Sequence, residues 1–437
     1  MGLQQKIDLL MSLAQDDHEG LPSRAPVPAG YRAGASPVTP RVVPPRLRHA
    51  AEVGALRPLN IRQLRYGAGV RTSLLRILMT NACSFNCHYC PMRRDRNLPR
   101  TLLKPEELVR IFLGAYARGW CEGLFITTGI PGRPVKVMDD LIQVLESLRE
   151  RHRFAGYIHV KMVPGADAAQ IERLTALASR ISLNLEAPCG ASLARIAPDK
   201  SFPAALTSLE RARAQINTAR LEERYGRPRD PLHPGGTAGM TMQFVVGATP
   251  DTDQGILNTV TALYRGGGIH HSQFSAFRPI RETPLESARA TPALREHRLY
   301  QADHLLRRYG FDAGEIAYGA DGNLPLGVDP KCAWALAHPE RFPVEVRTAS
   351  AEELLRVPGI GPATARRIVS ERAGTTLRGL RDLRRLGVVT ARAAGFVTLG
   401  GRRVQTLRWS EQLGFWGPEE EAGAYQLVYD VSPGTFR

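Results

Sequence analysis

The sequence predicts an α/β protein: a partial barrel of six (β/α) units followed by a small all-α region. From about Ser73, short β-branched runs alternate with longer helical patterns, which is how successive βα units with parallel strands read. Near residue 350 that alternation stops and two compact helical patterns follow. The chain has 437 residues, 43% of them hydrophobic and 23% charged, enough for a sizeable core and too apolar for wholesale disorder.

Residues 1–70 open with the amphipathic stretch KIDLLMSLA and continue into a segment rich in Pro, Gly and Arg, with eight arginines and one acid between Arg24 and Arg65. This reads as a loosely structured basic arm. Residues 71–310 read as the barrel. Its strand runs are SLLRILMT from Ser73, GLFITTGI from Gly123, YIHVKMVP from Tyr157, ISLNLEAP from Ile181, GMTMQFVVG from Gly239 and SQFSAFRPI from Ser272. Each is short enough to be buried on both faces. The helices between them carry start signals, such as Pro105 near the first turn of KPEELVRIFLGAYARGW and the acids opening MDDLIQVLESLRERHRF. Further helices are expected over Ser201–Tyr225 and Pro292–Tyr309. Six such units suit an open, TIM-like partial barrel better than a doubly wound sheet, and in either fold ligands gather at the carboxyl ends of the strands. Residues 311–348 read as a linking region, 349–400 as the helical module and 401–437 as an extension.

Six cysteines stand at 83, 87, 90, 121, 189 and 332, three of them within TNACSFNCHYCPMRR. In a reducing compartment such a cluster reads as metal ligation rather than disulfides. Three residues between the first pair and two between the second let Cys83, Cys87 and Cys90 wrap one iron–sulfur cube and leave its fourth iron open. A zinc site using His88 is the alternative, but structural zinc usually draws on two separated ligand pairs. The three scattered cysteines read as small buried hydrophobes.

The tail contains LLRVPGIGPATARRIV, in the order helix, Gly-Ile-Gly turn, helix. Gly359 and Gly361 permit a turn of positive φ around Ile360, Pro362 starts the next helix, and the free N–H groups there can take a phosphate. Arg366 and Arg367 follow one turn on. The pattern resembles the helix-hairpin-helix module, and LRGLRDLRRLGVVTARAAGFV repeats its scheme with a poorer turn. Between Ser350 and Ser410 lie twelve arginines and four acids, which is eight of the sixteen net positive charges. With a pI near 10.0, the partner expected is polyanionic: DNA, gripped nonspecifically through its backbone. No run of apolar residues is long enough to span a membrane and no signal-peptide layout opens the chain, so a cytoplasmic protein with no membrane partner is expected.

The cysteine segment resembles the radical S-adenosylmethionine (SAM) superfamily. That resemblance implies two cofactors, a 4Fe-4S cluster on Cys83, Cys87 and Cys90 and SAM chelated to the open iron, with an external electron donor such as flavodoxin or ferredoxin. It also implies SAM contacts along the barrel mouth. Thr128 and Gly129 stand where members carry a Gly-Gly-Glu-like stretch, and Tyr89 stands where relatives turn a backbone carbonyl to adenine. Lys161, Asn184 and Glu186 end strands three and four, and Gly247 in VVGATPDTD looks like the adenine-binding turn. The order of parts, including REHRLYQADHLLRRYGF and DPKCAWALAHPERFPV, resembles a bacterial family described as DNA modification or repair radical SAM proteins. Members often hold extra cysteines in the N-terminal arm; none precedes Cys83 here, which argues against an obligatory second cluster there. The expected function is therefore a radical SAM enzyme acting on DNA. The rivals are a radical SAM enzyme acting on RNA and a non-catalytic iron–sulfur DNA-binding protein.

Overall fold

A computed structural model of the chain describes residues 2–14, 61–66, 70–226, 228, 230–374 and 377–404. Most of the basic arm and nearly all of the C-terminal extension lie outside the described residues. The described residues fall into two compact units, one within 1–249 and 266–290 and the other within 250–265 and 291–404.

The first unit is built on one sheet with strands in chain order: β1 (Ile61–Tyr66), β2 (Val70–Leu78), β3 (Gly123–Thr127), β4 (Tyr157–Lys161), β5 (Arg180–Glu186), β6 (Met240–Val246) and β7 (Ile269–Ala276). From β2 to β7 all neighbours are parallel. This is the six-stranded partial barrel expected. β1 was not: it pairs antiparallel with β2 inside the segment read as arm, and its register from Tyr66↔Val70 to Ile61↔Leu75 draws the start of β2 back to Val70.

Alternation along the strands sorts the two faces of the sheet. Ile77, Ile126, Val160, Ile181, Leu183, Met242 and Phe244 are almost fully buried and form the apolar face, covered by α2 (Pro105–Ala117), α3 (Pro134–Glu146), α4 (Ala168–Leu177) and α6 (Phe202–Arg224). The other face carries Arg76, His159, Lys161, Arg180, Ser182, Asn184, Thr241 and Gln243. A polar concave face has no use in a self-filling barrel; it is a lining.

α3 runs on into a π-helical turn, Ser147–Arg151. The turn buries Arg149, whose guanidinium donates to the carbonyls of Leu177, Phe154 and Gly156 and to Ser179 Oγ, so one side chain ties loops at the amino ends of β4 and β5. The N-terminal amphipathic stretch forms α1 (Leu3–Ala14). Ile7 and Leu10 are buried, and Lys6 Nζ lies 3.0 Å from Glu107 Oε2 at the start of α2; these residues dock on the barrel rather than belonging to a loose arm.

The second unit holds α7 (Asp253–Arg265), α8 (Ala293–Arg308), α9 (Pro330–Ala337), the helix pairs α10 (Ala351–Arg356) with α11 (Pro362–Glu371) and α12 (Leu380–Arg385) with α13 (Thr390–Ala393), and a three-stranded sheet. In that sheet β8 (Val344–Glu345) pairs parallel with β9 (Val397–Leu399), which pairs antiparallel with β10 (Arg402–Arg403). The stretch read as a link thus contributes α9, β8 and the fully buried Trp334, packed edge-on against Phe311 and Phe342. Strands of two and three residues are too short to show a period.

Candidate functional site

The three cysteines lie on a loop that leaves β2 and is fixed at several points. Met79 N–H donates to Thr127 O, Gly129 N–H to Thr80 O at 2.7 Å, and Ser84 N–H to Ile130 O, which stitches the loop to the end of β3. On its other flank Asn86 N–H donates to Asp199 Oδ2 at 2.6 Å and His88 N–H to Ile196 O at 2.7 Å. Two residues that sequence reasoning missed hold its base. Arg100 donates to the carbonyls of Asn81, Met92, Arg93 and Arg96. Buried Asn81 donates to Pro99 O and accepts from Thr101 N–H. A guanidinium has five donors and no acceptor, so Arg100 can gather loop carbonyls that would otherwise point at nothing; only the loop's folded shape reveals that task.

Cys87 packs with Ala187, Leu193, Ile196 and Ala197, with Tyr89, Cys90 and Phe202 at the edge of the same cluster. The short helix α5 (Gly190–Ile196) supplies that floor. Burial pushes the Cys87 thiol up to about 11, with Glu186 and Cys83 adding to the rise and Lys200 opposing it. Burial likewise lifts Cys90 to about 12, with contributions from Cys87 and Cys83. The three thiols are therefore close enough to feel one another, and ligation has to displace their protons. Among the described residues no three His, Cys, Asp or Glu side chains converge on one metal ion. Of the scattered cysteines, Cys121 and Cys332 are buried as expected; Cys189 is exposed, because it caps α5 from outside the strand it follows.

Behind the loop stands a buried ion pair. Lys200 Nζ lies 2.7 Å from Glu186 Oε1, with side-chain exposures of 12% and 3%. Glu186 follows a bulge in the β5–β6 ladder and holds φ 66°, an uncommon conformation for a side chain of this size. Burial alone would raise its carboxyl, but Lys200, Lys161 and hydrogen bonds from Lys200 and Tyr89 hold it below the usual carboxylate range. Burial, Glu186, Cys87 and Cys90 all raise the Tyr89 phenol. Lys200 is a third residue the sequence reading missed, since a lone lysine after a helix carries no signal of burial.

Of the residues expected to meet SAM, Tyr89, Lys161 and Glu186 are thus gathered beside the cysteines. Gly129 abuts the same loop, while the Thr128 hydroxyl is committed to Gly129 O at 2.7 Å. Asn184 projects into the lining, its buried Oδ1 without a hydrogen-bond partner among the described residues. Gly247 ends β6 with φ 82°, a turn that glycine adopts at no cost. A Cβ on Gly129 would stand 2.3 Å from Ala82 O and 3.0 Å from Thr80 O, both backbone atoms. Gly129→Ala should therefore displace the peptide just before Cys83, costing about 1–3 kcal/mol of stability and lowering the iron bound per chain. Urea unfolding and iron assay check this; unchanged iron content would show that the loop tolerates the shift.

In the second unit the expected turn is present. Gly359 has φ 81°, and Gly361 caps α11 with Pro362 at its first position. Ile360 is buried, so only its backbone can face a ligand; its carbonyl accepts from buried Lys331 Nζ at 2.6 Å. Gly387, with φ 94°, makes the matching turn between α12 and α13, and the two hairpins are joined by Val389 N–H to Gly359 O at 3.0 Å and Thr364 Oγ1 to Gly387 O at 3.2 Å. Arg366 and Arg367 are exposed on α11; Arg367 also reaches Leu386 O at 3.4 Å and Glu371 at 3.9 Å.

Residues 77–221, from the middle of β2 nearly to the end of α6, match the family described as the Radical SAM superfamily. The chain carries a radical SAM domain. Residues 344–371 match the helix-hairpin-helix motif, so the radical SAM domain shares the chain with a motif that suggests nucleic-acid binding. Members of the superfamily use a 4Fe-4S cluster and SAM, and the donor set of the radical SAM domain fits them: three neighbouring thiols on one loop, and buried polar atoms left for a ligand along the lining. No curated protein matches the chain. Solved structures similar to it include the FeFe-hydrogenase maturase HydG from Carboxydothermus hydrogenoformans, at 18% identity and TM-score 0.42 over 54% of this chain and 51% of that one. Methylornithine synthase (PylB) is similar at 13% identity and TM-score 0.40, over 54% and 61%. Streptococcus suis SuiB bound to precursor peptide SuiA is similar at 14% identity and TM-score 0.36, over 62% and 51%. The chain spans about half the length of these structures, and no activity is carried over from them. Among the described residues no helix is long and apolar enough to cross a membrane.

Proposed function

We propose that this radical SAM enzyme modifies or repairs DNA, with its cluster on Cys83, Cys87 and Cys90 and with the paired hairpins delivering the substrate. When bound, the cluster and SAM supply a 5′-deoxyadenosyl radical able to abstract hydrogen from substrate, the electron coming from an external donor such as flavodoxin or ferredoxin. The chain's own part is placement. Arg100 and Asn81 fix the loop, Lys200 and Tyr89 fix Glu186 beneath it, and Tyr89, Thr128, Gly129, Lys161, Asn184, Glu186 and Gly247 surround the volume where SAM would lie. The observation that carries the reading is the cysteine loop clamped across the carboxyl ends of β2, β3 and β5 in a sheet with a polar concave face.

The test is anaerobic reconstitution followed by SAM and a strong reductant. 5′-Deoxyadenosine should form, and a fully loaded cluster that yields none would overturn the reading. It would favour a non-catalytic iron–sulfur DNA-binding protein.

For the hairpins, Gly359, Ile360 and Gly361 offer backbone, and Arg366 and Arg367 offer charge to phosphates. Arg366→Ala with Arg367→Ala should weaken duplex binding alike for all sequences and make the slope of log affinity against log salt shallower by about 2, near 0.9 per lost phosphate contact. Fluorescence anisotropy across a salt series reads both quantities, and an unchanged slope would remove these arginines from the interface. Competition of labelled DNA by RNA reads which of the two polymers the chain binds more tightly.

A further inference from the structure

We propose that the floor of the barrel, well below the cysteine loop, is an oxyanion site that takes a phosphate group of the substrate, which makes the reacting group a phosphorylated nucleotide. This rests on the reading of the chain as a nucleic-acid-directed radical SAM enzyme and narrows what must enter the barrel.

The floor is a row of four side chains in register on adjacent parallel strands: Arg76 pairs with Phe125, Phe125 with His159, and His159 with Arg180. All four are more than nine-tenths buried. The Arg76 guanidinium lies 5.2 Å from the centroid of the Phe125 ring, which leans on the His159 ring at 4.5 Å. The row above it, about 7 Å nearer the cysteine loop at ~3.3 Å per residue, is Lys161, Ser182, Thr241 and His271.

Two independent features give these rows their chemistry. The first is sign. Burial holds the His159 imidazole neutral, and the charges that reach it, from Arg180, Lys161 and Arg76, are all positive. The nearby carboxylate of Glu186 is engaged by Lys200. The second is unmet hydrogen bonding. Ser182 Oγ, Thr241 Oγ1, His159 Nε2 and Arg180 Nε are buried without a partner among the described residues. Arg180 spends one terminal nitrogen on Ala238 O at 2.6 Å and keeps its inner N–H. Such groups cost free energy when left unpaired. The Arg180 guanidinium, two hydroxyls and an imidazole able to donate form a set that a tetrahedral oxyanion can satisfy.

The arginines of the tail would hold a polymer by its outside. The floor would hold the one nucleotide that reaches the reactive centre, at a distance set by two rows of strand residues. Both are phosphate contacts, and they are separable because they lie in different units of the chain.

The experiment is calorimetric titration of the reconstituted full-length protein, at constant ionic strength, with deoxyadenosine 5′-monophosphate, deoxyadenosine, inorganic phosphate and acetate. The monophosphate should bind about tenfold or more tighter than the nucleoside, as a charge-assisted hydrogen bond or two would give. Inorganic phosphate should compete with it, and acetate should not. Arg180→Gln should weaken phosphate binding by about tenfold. If Arg180→Gln does not fold, Ser182→Ala with Thr241→Val, which changes little volume, should still weaken phosphate by about fivefold. Undiminished phosphate binding in the folded floor variants, or acetate binding as tightly as phosphate, overturns the proposal. Protein that binds phosphate at the floor yet never forms 5′-deoxyadenosine would overturn the radical reading and leave the anion site standing.

Discussion

Replacing Cys87 by alanine is expected to abolish both iron binding and formation of 5′-deoxyadenosine, and to do so without unfolding the chain. Cys87 is the most buried of the three loop cysteines, packed on Ala187, Leu193, Ile196 and Ala197. Its neighbours are small and apolar, so removing one sulfur leaves a modest cavity and costs on the order of 1–2 kcal/mol. The chemical loss is of another size, because a cube held by two thiolates lacks the third corner that fixes it. Cys121 supplies the control: it is fully buried, just before the amino end of β3 and away from the loop. Cys121→Ala should cost similar stability and leave iron content and turnover intact. Iron and sulfide assay, the electron paramagnetic resonance spectrum of the reduced protein, and product analysis together check the pair. Iron retained in Cys87→Ala at the level of the parent would sink the assignment of the ligands.

How much of this could be read from the residues depends on the range of the interactions involved. The cysteine loop was legible because its ligands are neighbours in sequence, and the six parallel strands were legible because burial on both faces leaves continuous apolar runs such as ILMT and LFIT. The Gly-Ile-Gly turn was legible because positive φ selects glycine at Gly359. What stayed hidden depends on partners far along the chain. β1 is defined by its pairing with β2, and Arg100 by four carbonyls that come together only once the loop has closed. The parallel pairing of Val344 with Val397 joins segments on either side of both hairpins. Arg76 lay within an expected strand run and Arg180 just before one; only the register shows that they share one row with His159.

The pair Lys200–Glu186 carries the second large effect. Removing the cation alone, by Lys200→Met, leaves a carboxylate buried at the end of β5, and breaking a buried pair from one side costs about 3–5 kcal/mol. Lys200→Met with Glu186→Gln should recover most of that loss, since neither charge is then stranded; the two single changes and the double one form a cycle that isolates the coupling. The pH dependence changes with it. In the parent, Glu186 titrates below its ordinary value. Its contribution is therefore fully present above the unfolded value of about 4.3 and is lost as the pH falls through the lower, folded value. Without Lys200, burial is the largest influence on the carboxyl and is opposed only by Lys161 and Tyr89. The gain in stability between about pH 4 and pH 7 should then shrink or invert. Urea midpoints over that window read the sign directly. A single variant as stable as the parent, with the same slope against pH, would mean that water reaches the pair and that Lys200 does not hold the floor beneath the cysteine loop.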